Sequence, residues 1–403
     1  MPAFGKPNTS AKALTWAAYV CFLPIGIATV LLGPMLPTLS ARWSLNYSQA
    51  GALFTVQYLA STCAVGISGV IAARWGFRFA IKTGLLLMAA GIALLLVGPR
   101  MLGILCIGAY GGGLGLAVPA ANLLVAAANP GRRSATLNLL NFFWSAGAVS
   151  CPFLVAVAAK SHQTPLFLAF VSGFSLLVAI GIAIMPAHIV EPAGPSSTDI
   201  SFPALVRTKI IPLIRERLGV FLVLAALFFL YVGAENGFGG WVATYAKSLG
   251  NLSPAMSLMT PSFFYAAMML GRWIAPLLLR KIGEIRLAQA GLLLACAGTL
   301  GLVFSYGLGG VVASACATGF GLSSVYPITI SLLSRGFGSA SSGIGSLMFV
   351  LSNIGGGLLP WIAGISSTRF GTLKAGIFVP LLGCAAMYAL YLRDWTHIAD
   401  EEG

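Results

Sequence analysis

Three features of this chain predict an all-α membrane protein of twelve transmembrane helices arranged as two pseudo-symmetric six-helix bundles. The first is composition: of 403 residues, 58% are hydrophobic and only 8% charged. With a mean hydropathy of +0.93, this lies outside the range of ordinary soluble domains. The second is a series of apolar runs of spanning length. The third is a repeat that relates the two halves of the chain.

Twelve runs are drawn at 14–39, 49–73, 80–98, 101–127, 136–159, 166–185, 220–246, 254–279, 287–306, 308–334, 340–365 and 375–392. Each holds the roughly 20 apolar residues that a helix needs to cross about 30 Å of hydrocarbon. An even number of crossings puts both termini on one side. Of the 23 Lys and Arg, 17 fall on one set of alternate segments, leaving only Arg42, Arg100, Lys160, Lys247, Arg369 and Lys374 on the other. Basic residues concentrate on the cytoplasmic side, so both termini are expected there. The net charge of +14 is therefore a topology signal, and no nucleic-acid partner is expected.

Between the sixth and seventh runs lies a Pro- and Ser-rich hydrophilic stretch that ends in basic residues. It divides the chain into an N-terminal bundle at 1–186, a cytoplasmic linker at 187–218 and a C-terminal bundle at 219–403. The linker's basic residues suit orientation or contact with anionic lipid. The halves repeat. Gly111, Gly113, Leu114 and Pro119 recur 208 residues later as Gly319, Gly321, Leu322 and Pro327, and Gly147 and Pro152 recur at the same displacement as Gly355 and Pro360. Duplication of a six-helix unit explains a shared displacement better than chance does.

The seventh run holds the acid on which a function can be built. Glu235 lies fifteen residues into Val220–Ala246, roughly 22 Å along a helix. A carboxylate at such depth costs roughly 2.5–3.5 kcal/mol, so it is rare and usually faces an internal cavity. Gly233, Gly237, Gly239 and Gly240 surround it, allowing either close packing or local unwinding. A structural hydrogen bond to a neighbouring helix is the plainer role.

Amides mark the rest of a polar cavity. Asn138 and Asn141 share a face of the fifth run with Ser145, and Trp144 lies beside them. Gln57, Asn122, Asn236, Trp241, Tyr265 and Asn353 contribute from other runs. Amides both donate to and accept from hydroxyls, and aromatic rings pack on the apolar faces of a pyranose. Neutral groups with one acid suit a neutral polyhydroxy solute better than a phosphate or dicarboxylate. For any single amide, a helix-to-helix hydrogen bond is the competing role. Arg272, within the eighth run, could serve as a buried anion ligand, but the structural reading is favoured, its long side chain snorkelling to the cytoplasmic interface. The seven cysteines fall inside apolar runs without metal-ligand spacing, so neither disulfide nor metal is expected. No cleaved signal is expected at the start.

Gly69-Val-Ile-Ala-Ala-Arg74-Trp-Gly76-Phe-Arg78 resembles the loop between helices two and three of the major facilitator superfamily, a Gly, three residues, then Asp-Arg-x-Gly-Arg-Arg. Ala73 stands in place of the usual Asp and Phe77 in place of an Arg. The resemblance implies a conformational role for Gly69, Arg74, Gly76 and Arg78. Tyr231 to Trp241 and Asn138 to Pro152 are similar to the fucose:proton symporters and their sodium-dependent glucose transporter relatives. That family carries acids in helices one and four, which are absent here.

With no nucleotide-binding loop and no catalytic grouping, an enzyme or ATP-driven pump is not expected. The expectation is a monomeric secondary transporter of the bacterial inner membrane. It takes up a monosaccharide by alternating access, coupled through Glu235 to H⁺ or Na⁺, with no further cofactor. A proton-coupled exporter of amphipathic compounds is the alternative, and a non-transporting receptor the remaining one.

Overall fold

A computed structural model describes residues 9–129, 132–185, 211–338 and 341–393. Most of the expected linker, and both chain ends with the topology assigned to them, lie outside the described residues. Among the described residues all regular structure is helical. The helices are α1 (Thr9–Val30), α2 (Leu32–Trp43), α3 (Tyr47–Trp75), α4 (Phe77–Leu94), α5 (Arg100–Ala128), α6 (Arg133–Lys160) and α7 (Thr164–Ala183). Within the last part of the expected linker lies α8 (Ile211–Glu216), and then come α9 (Leu218–Ser248), α10 (Pro254–Leu278), α11 (Glu284–Val303), α12 (Leu308–Leu322), α13 (Val325–Phe337), α14 (Ser341–Phe370) and α15 (Leu373–Tyr391).

Eleven stretches among the described residues are long and apolar enough to cross a membrane. The remaining predicted run is α10, which has 25 residues but is diluted by Arg272, Pro261 and Pro276. Helices suit this role because every backbone N–H and C=O is satisfied within the segment, where hydrocarbon offers no partner. Large apolar side chains on their outer faces, Trp273 at 75% exposure and Leu105 at 69% among them, meet lipid. Two of the predicted runs are interrupted. The first run is α1 and α2 around Leu31, and the tenth is α12 and α13 around Ser323 and Ser324.

Contacts divide the chain into two compact units. The first comprises Met1–Leu31, Leu59–Cys151 and Ser161–Ser197, and the second Leu32–Tyr58, Pro152–Lys160 and Thr198–Gly403. The expected boundaries at 186 and 219 are crossed by two segments of the first half that pack within the second unit. For Leu32–Tyr58 the reason is visible in side chains. Phe54 lies against Gly240, where a Cβ would come within 2.6 Å of the ring. The Thr55 hydroxyl donates to the Gly357 carbonyl at 3.0 Å, and the Ser48 amide donates to the Thr368 hydroxyl at 2.8 Å.

In unit one, α4 packs on α5 and α7, and α1 packs on α5. Gly84 meets Gly113 there, with a Cβ on Gly84 falling 2.6 Å from the Gly113 carbonyl oxygen. In unit two, α11 packs on α12, and Gly291 meets Gly321 at the matching place. Two turns on, the match repeats: a Cβ on Gly91 would stand 2.8 Å from the Tyr110 nitrogen, and one on Gly298 would stand 2.6 Å from the Thr318 nitrogen. Duplicated glycines therefore sit in duplicated backbone contacts, because only a residue without a side chain lets two helices approach so closely.

Candidate functional site

The site is built around α9 in the second unit. This helix runs unbroken through Glu235, so its glycines serve close packing rather than unwinding. Gly233 faces Leu359 and Gly355 of α14, Gly237 faces Pro380 of α15, and Gly239 lies under the Tyr265 ring of α10. With those faces sealed, Glu235 and Asn236 remain half-buried. Among the described residues the only other carboxylates are Glu216 and Glu284. Glu284 sits in the first turn of α11, paired with Arg335, which leaves Glu235 as the acid of the interior.

Four helices bring groups to it. Tyr231 is one turn before Glu235 on α9, within range of the acid. Arg272, on α10, lies within electrostatic range of Glu235, Tyr231 and Tyr326. Tyr326, on α13, meets Tyr231 in a tilted ring contact with centroids 5.0 Å apart and engages Ser352 of α14. Tyr58, at the end of the α3 segment belonging to this unit, faces Glu235 and Asn236. The break between α12 and α13 puts Tyr326 at a helix start, as discontinuous membrane helices often do with binding residues. Tyr231 is only 1% exposed. Its hydroxyl reaches toward both the acid and the guanidinium, yet makes no hydrogen bond of regular geometry.

Arg272 is thus corrected. It was expected at the interface, but it is half-buried, engages Tyr231 and lies within electrostatic range of Glu235. Tyr58, Tyr231 and Tyr326 were also missed as members of the site. A readable signal existed for one of them, since Tyr231 and Glu235 are four apart and share a helical face. Tyr58 and Tyr326 are distant in sequence and gave none.

Each remaining predicted residue has a definite place. In unit two, Gln57 is buried beside Tyr58, and Asn353 is half-buried next to Ser352. Asn236 donates to its own helix at Val232, 2.9 Å. Trp241 is 1% exposed and donates from Nε1 to the Pro360 carbonyl at 2.9 Å, with Tyr47 edge-on at 6.2 Å. Tyr265 is 5% exposed. Both rings are therefore packed between helices in this conformation rather than presented to a solute.

In unit one, Asn122 donates to Val118 at 2.9 Å and Asn141 to Leu137 at 2.9 Å, each within its own helix. Asn138 and Asn141 are exposed. Trp144 is half-buried and donates to the Thr29 hydroxyl at 3.3 Å. A back-bonded amide keeps its carbonyl oxygen and a second N–H for other partners. In the loop between α3 and α4, Gly69 has no neighbouring group that a Cβ would meet, and Arg74 is exposed. Gly76 has φ of +87°, a conformation that favours glycine. Arg78 donates to the carbonyls of Ile182 at 3.0 Å and Met185 at 2.7 Å, tying this turn to the end of α7.

A family model described as Major Facilitator Superfamily matches residues 18–360. The chain belongs to the Major Facilitator Superfamily. It is a multi-pass membrane protein of a transporter family and not an enzyme. Among curated proteins it is 26% identical to the glucose/galactose transporter of Brucella abortus biovar 1 over 401 residues, covering 92% of this chain and 91% of that one. Among solved structures it is similar to the superfamily transporter FucP in the outward conformation, with TM-score 0.65, 21% identity and coverage of 95% and 98%. It is also similar to the nucleoside transporter NupG, with TM-score 0.76, 13% identity and coverage of 98% and 100%. These structural likenesses carry the fold.

Proposed function

We propose that this superfamily member is a secondary active transporter that moves a monosaccharide-sized, polyhydroxylated solute together with a proton. Its place is the bacterial inner membrane, with both termini cytoplasmic, as the Lys and Arg asymmetry suggests. The observation that carries the reading is Glu235, an interior carboxylate ringed by Tyr58, Tyr231 and Tyr326 and within range of Arg272. Phenol hydroxyls and amides are partners for sugar hydroxyls. The name of the Brucella relative supports a sugar-like solute.

Of the two coupling ions expected from the sequence, the surroundings favour H⁺. A sodium ion at Glu235 would be repelled by the Arg272 guanidinium within electrostatic range, whereas a proton neutralises the carboxylate by forming an O–H bond. Glu235→Gln keeps shape and hydrogen bonding but cannot titrate. In proteoliposomes this variant should still exchange labelled solute in counterflow while losing accumulation driven by a proton gradient. If it accumulates solute as the parent does, Glu235 is not the coupling group.

A further inference from the structure

The seat of Tyr58 is built by the second half alone. Gly355 of α14 repeats Gly147 of α6 at the displacement of 208, but the next two glycines, Gly356 and Gly357, stand where the first half has Ala148 and Val149. They lie outside the duplicated frame, and their contacts show what they serve. A Cβ on Gly356 would come within 2.8 Å of the Tyr58 ring, and one on Gly357 within 3.1 Å of the Tyr58 Cβ and 3.2 Å of the Thr55 Cα. The pair is a notch in α14 that takes the Tyr58 side chain. It ends a seam along α3, in which Gly51 lies against the backbone at Pro360 and Trp361 and the Thr55 hydroxyl donates to the Gly357 carbonyl at 3.0 Å. Tyr58 is the last residue of that segment in unit two.

On its other side the ring meets α9. The same Cβ on Gly356 would stand 2.9 Å from Val232 Cγ1, so the Tyr58 ring and Val232 flank one point. Asn236, one turn on, donates to the Val232 carbonyl at 2.9 Å, and the Tyr58 hydroxyl engages its side chain. Tyr58 lies eleven residues into α3 and Asn236 twelve residues before the end of α9. At roughly 17 and roughly 18 Å along their helices, both stand near the middle of about 30 Å of hydrocarbon. Both are half-buried, as is Asn353, four residues before Gly357 on the same face of α14. A half-open amide or phenol at that depth faces an internal cavity, because hydrocarbon offers it no partner. Asn236 spends one N–H on Val232 and keeps a second, and a phenol oxygen has two acceptor lone pairs. A sugar hydroxyl both donates and accepts, so one such group can meet the amide and the phenol together.

We infer that Tyr58 is a specificity-determining residue of the solute site, reading one sugar hydroxyl jointly with Asn236, and that Gly356 is the residue that positions it. The inference rests on the reading of this protein as a transporter of a polyhydroxylated solute. Gly356 touches no solute in this scheme. It acts by leaving room for the ring, which a methyl group in its place would push out of the notch.

The test uses the full-length protein in detergent, with equilibrium binding of labelled D-galactose and D-glucose and competition by their monodeoxy analogues. Tyr58→Phe keeps the ring in its notch and removes only the hydroxyl. Its unfolding temperature without sugar should match the parent's, while affinity falls about tenfold, the loss expected when one hydrogen bond goes and its partner is left unmet. The analogue lacking the hydroxyl that is read should bind parent and Tyr58→Phe equally, a result that a packing role for Tyr58 does not produce. Gly356→Ala should weaken binding by a similar factor in the parent and add little in Tyr58→Phe, where the hydroxyl it displaces is already gone. Parent-like affinity of Tyr58→Phe for both sugars would overturn the inference and leave the sugar reading intact. So would a loss in Tyr58→Phe that is the same for every deoxy analogue, or losses from the two substitutions that simply add. Binding of neither sugar, nor of any analogue, by the parent would overturn the sugar reading and the inference with it. Should Gly356→Ala not fold, Tyr58→Phe and the deoxy series still decide the role of Tyr58.

Discussion

The two units share a backbone plan and differ in what they place on it. In unit one, Gly147 of α6 meets the backbone of α1 at Leu23. In unit two, Gly355 of α14 meets the backbone of α9 at Phe229. The pairing relates α1 to α9 by a displacement of 206 residues, which sets Thr29 where Glu235 stands in the second half. Thr29 is satisfied locally, donating to Ile25 at 2.7 Å and accepting from Trp144 at 3.3 Å. Glu235 instead faces Arg272 and three tyrosines contributed by α3, α9 and α13. Duplication therefore preserved the contacts where a methyl group would collide with a main chain, and left the polar positions free to diverge.

The largest effect should follow from breaking the shared plan. Gly84→Leu in unit one and Gly291→Leu in unit two each drive a side chain into the backbone of a neighbouring helix, which cannot move aside as a flexible side chain can. Each should cost about 3 kcal/mol or more, seen as loss of monodisperse protein in detergent and a lowered unfolding temperature. Equal losses would confirm that the two contacts are equivalent. A tolerant Gly84→Leu beside an intolerant Gly291→Leu would show that the halves are not held together alike.

A smaller effect tests whether unit one shares in solute binding. Asn141→Ala removes an exposed amide bonded only within its own helix, so folded yield should be unchanged. If its remaining hydrogen-bonding groups meet solute hydroxyls, binding weakens by about 1–3 kcal/mol. Unchanged binding would confine recognition to other residues. The smallest effect sharpens the glycine argument. Gly173 of α7 has nothing within 4 Å of where a Cβ would be, so Gly173→Ala should leave stability unchanged or raise it by about 0.5–1 kcal/mol through helix propensity. Marked destabilisation there would mean that glycines in this protein are constrained by something other than close approach.

The fold was legible because the physics that sets it is local and repetitive. Runs of spanning length, the helix-forming pressure of hydrocarbon and glycines at a constant displacement can all be read along one dimension. Of the site, Glu235 was readable for the same reason, since a charge inside an apolar run is conspicuous wherever it points. Arg272 was equally conspicuous, but its role turned on direction. Six residues from the end of α10, a flexible side chain can reach outward to the interface or inward to an acid, and periodicity cannot choose. Trp241 and Tyr265 looked like sugar platforms by residue type, yet packing in this conformation buries both between helices. Tyr58 and Tyr326 could be placed at Glu235 only by the tertiary structure, because four helices separated by up to 268 residues, from Tyr58 to Tyr326, must be packed before their hydroxyls share a site. Composition and spacing determined that this chain crosses the membrane as a duplicated bundle with an acid inside. Which groups surround that acid was decided by side-chain direction across helix contacts, a quantity with no one-dimensional trace.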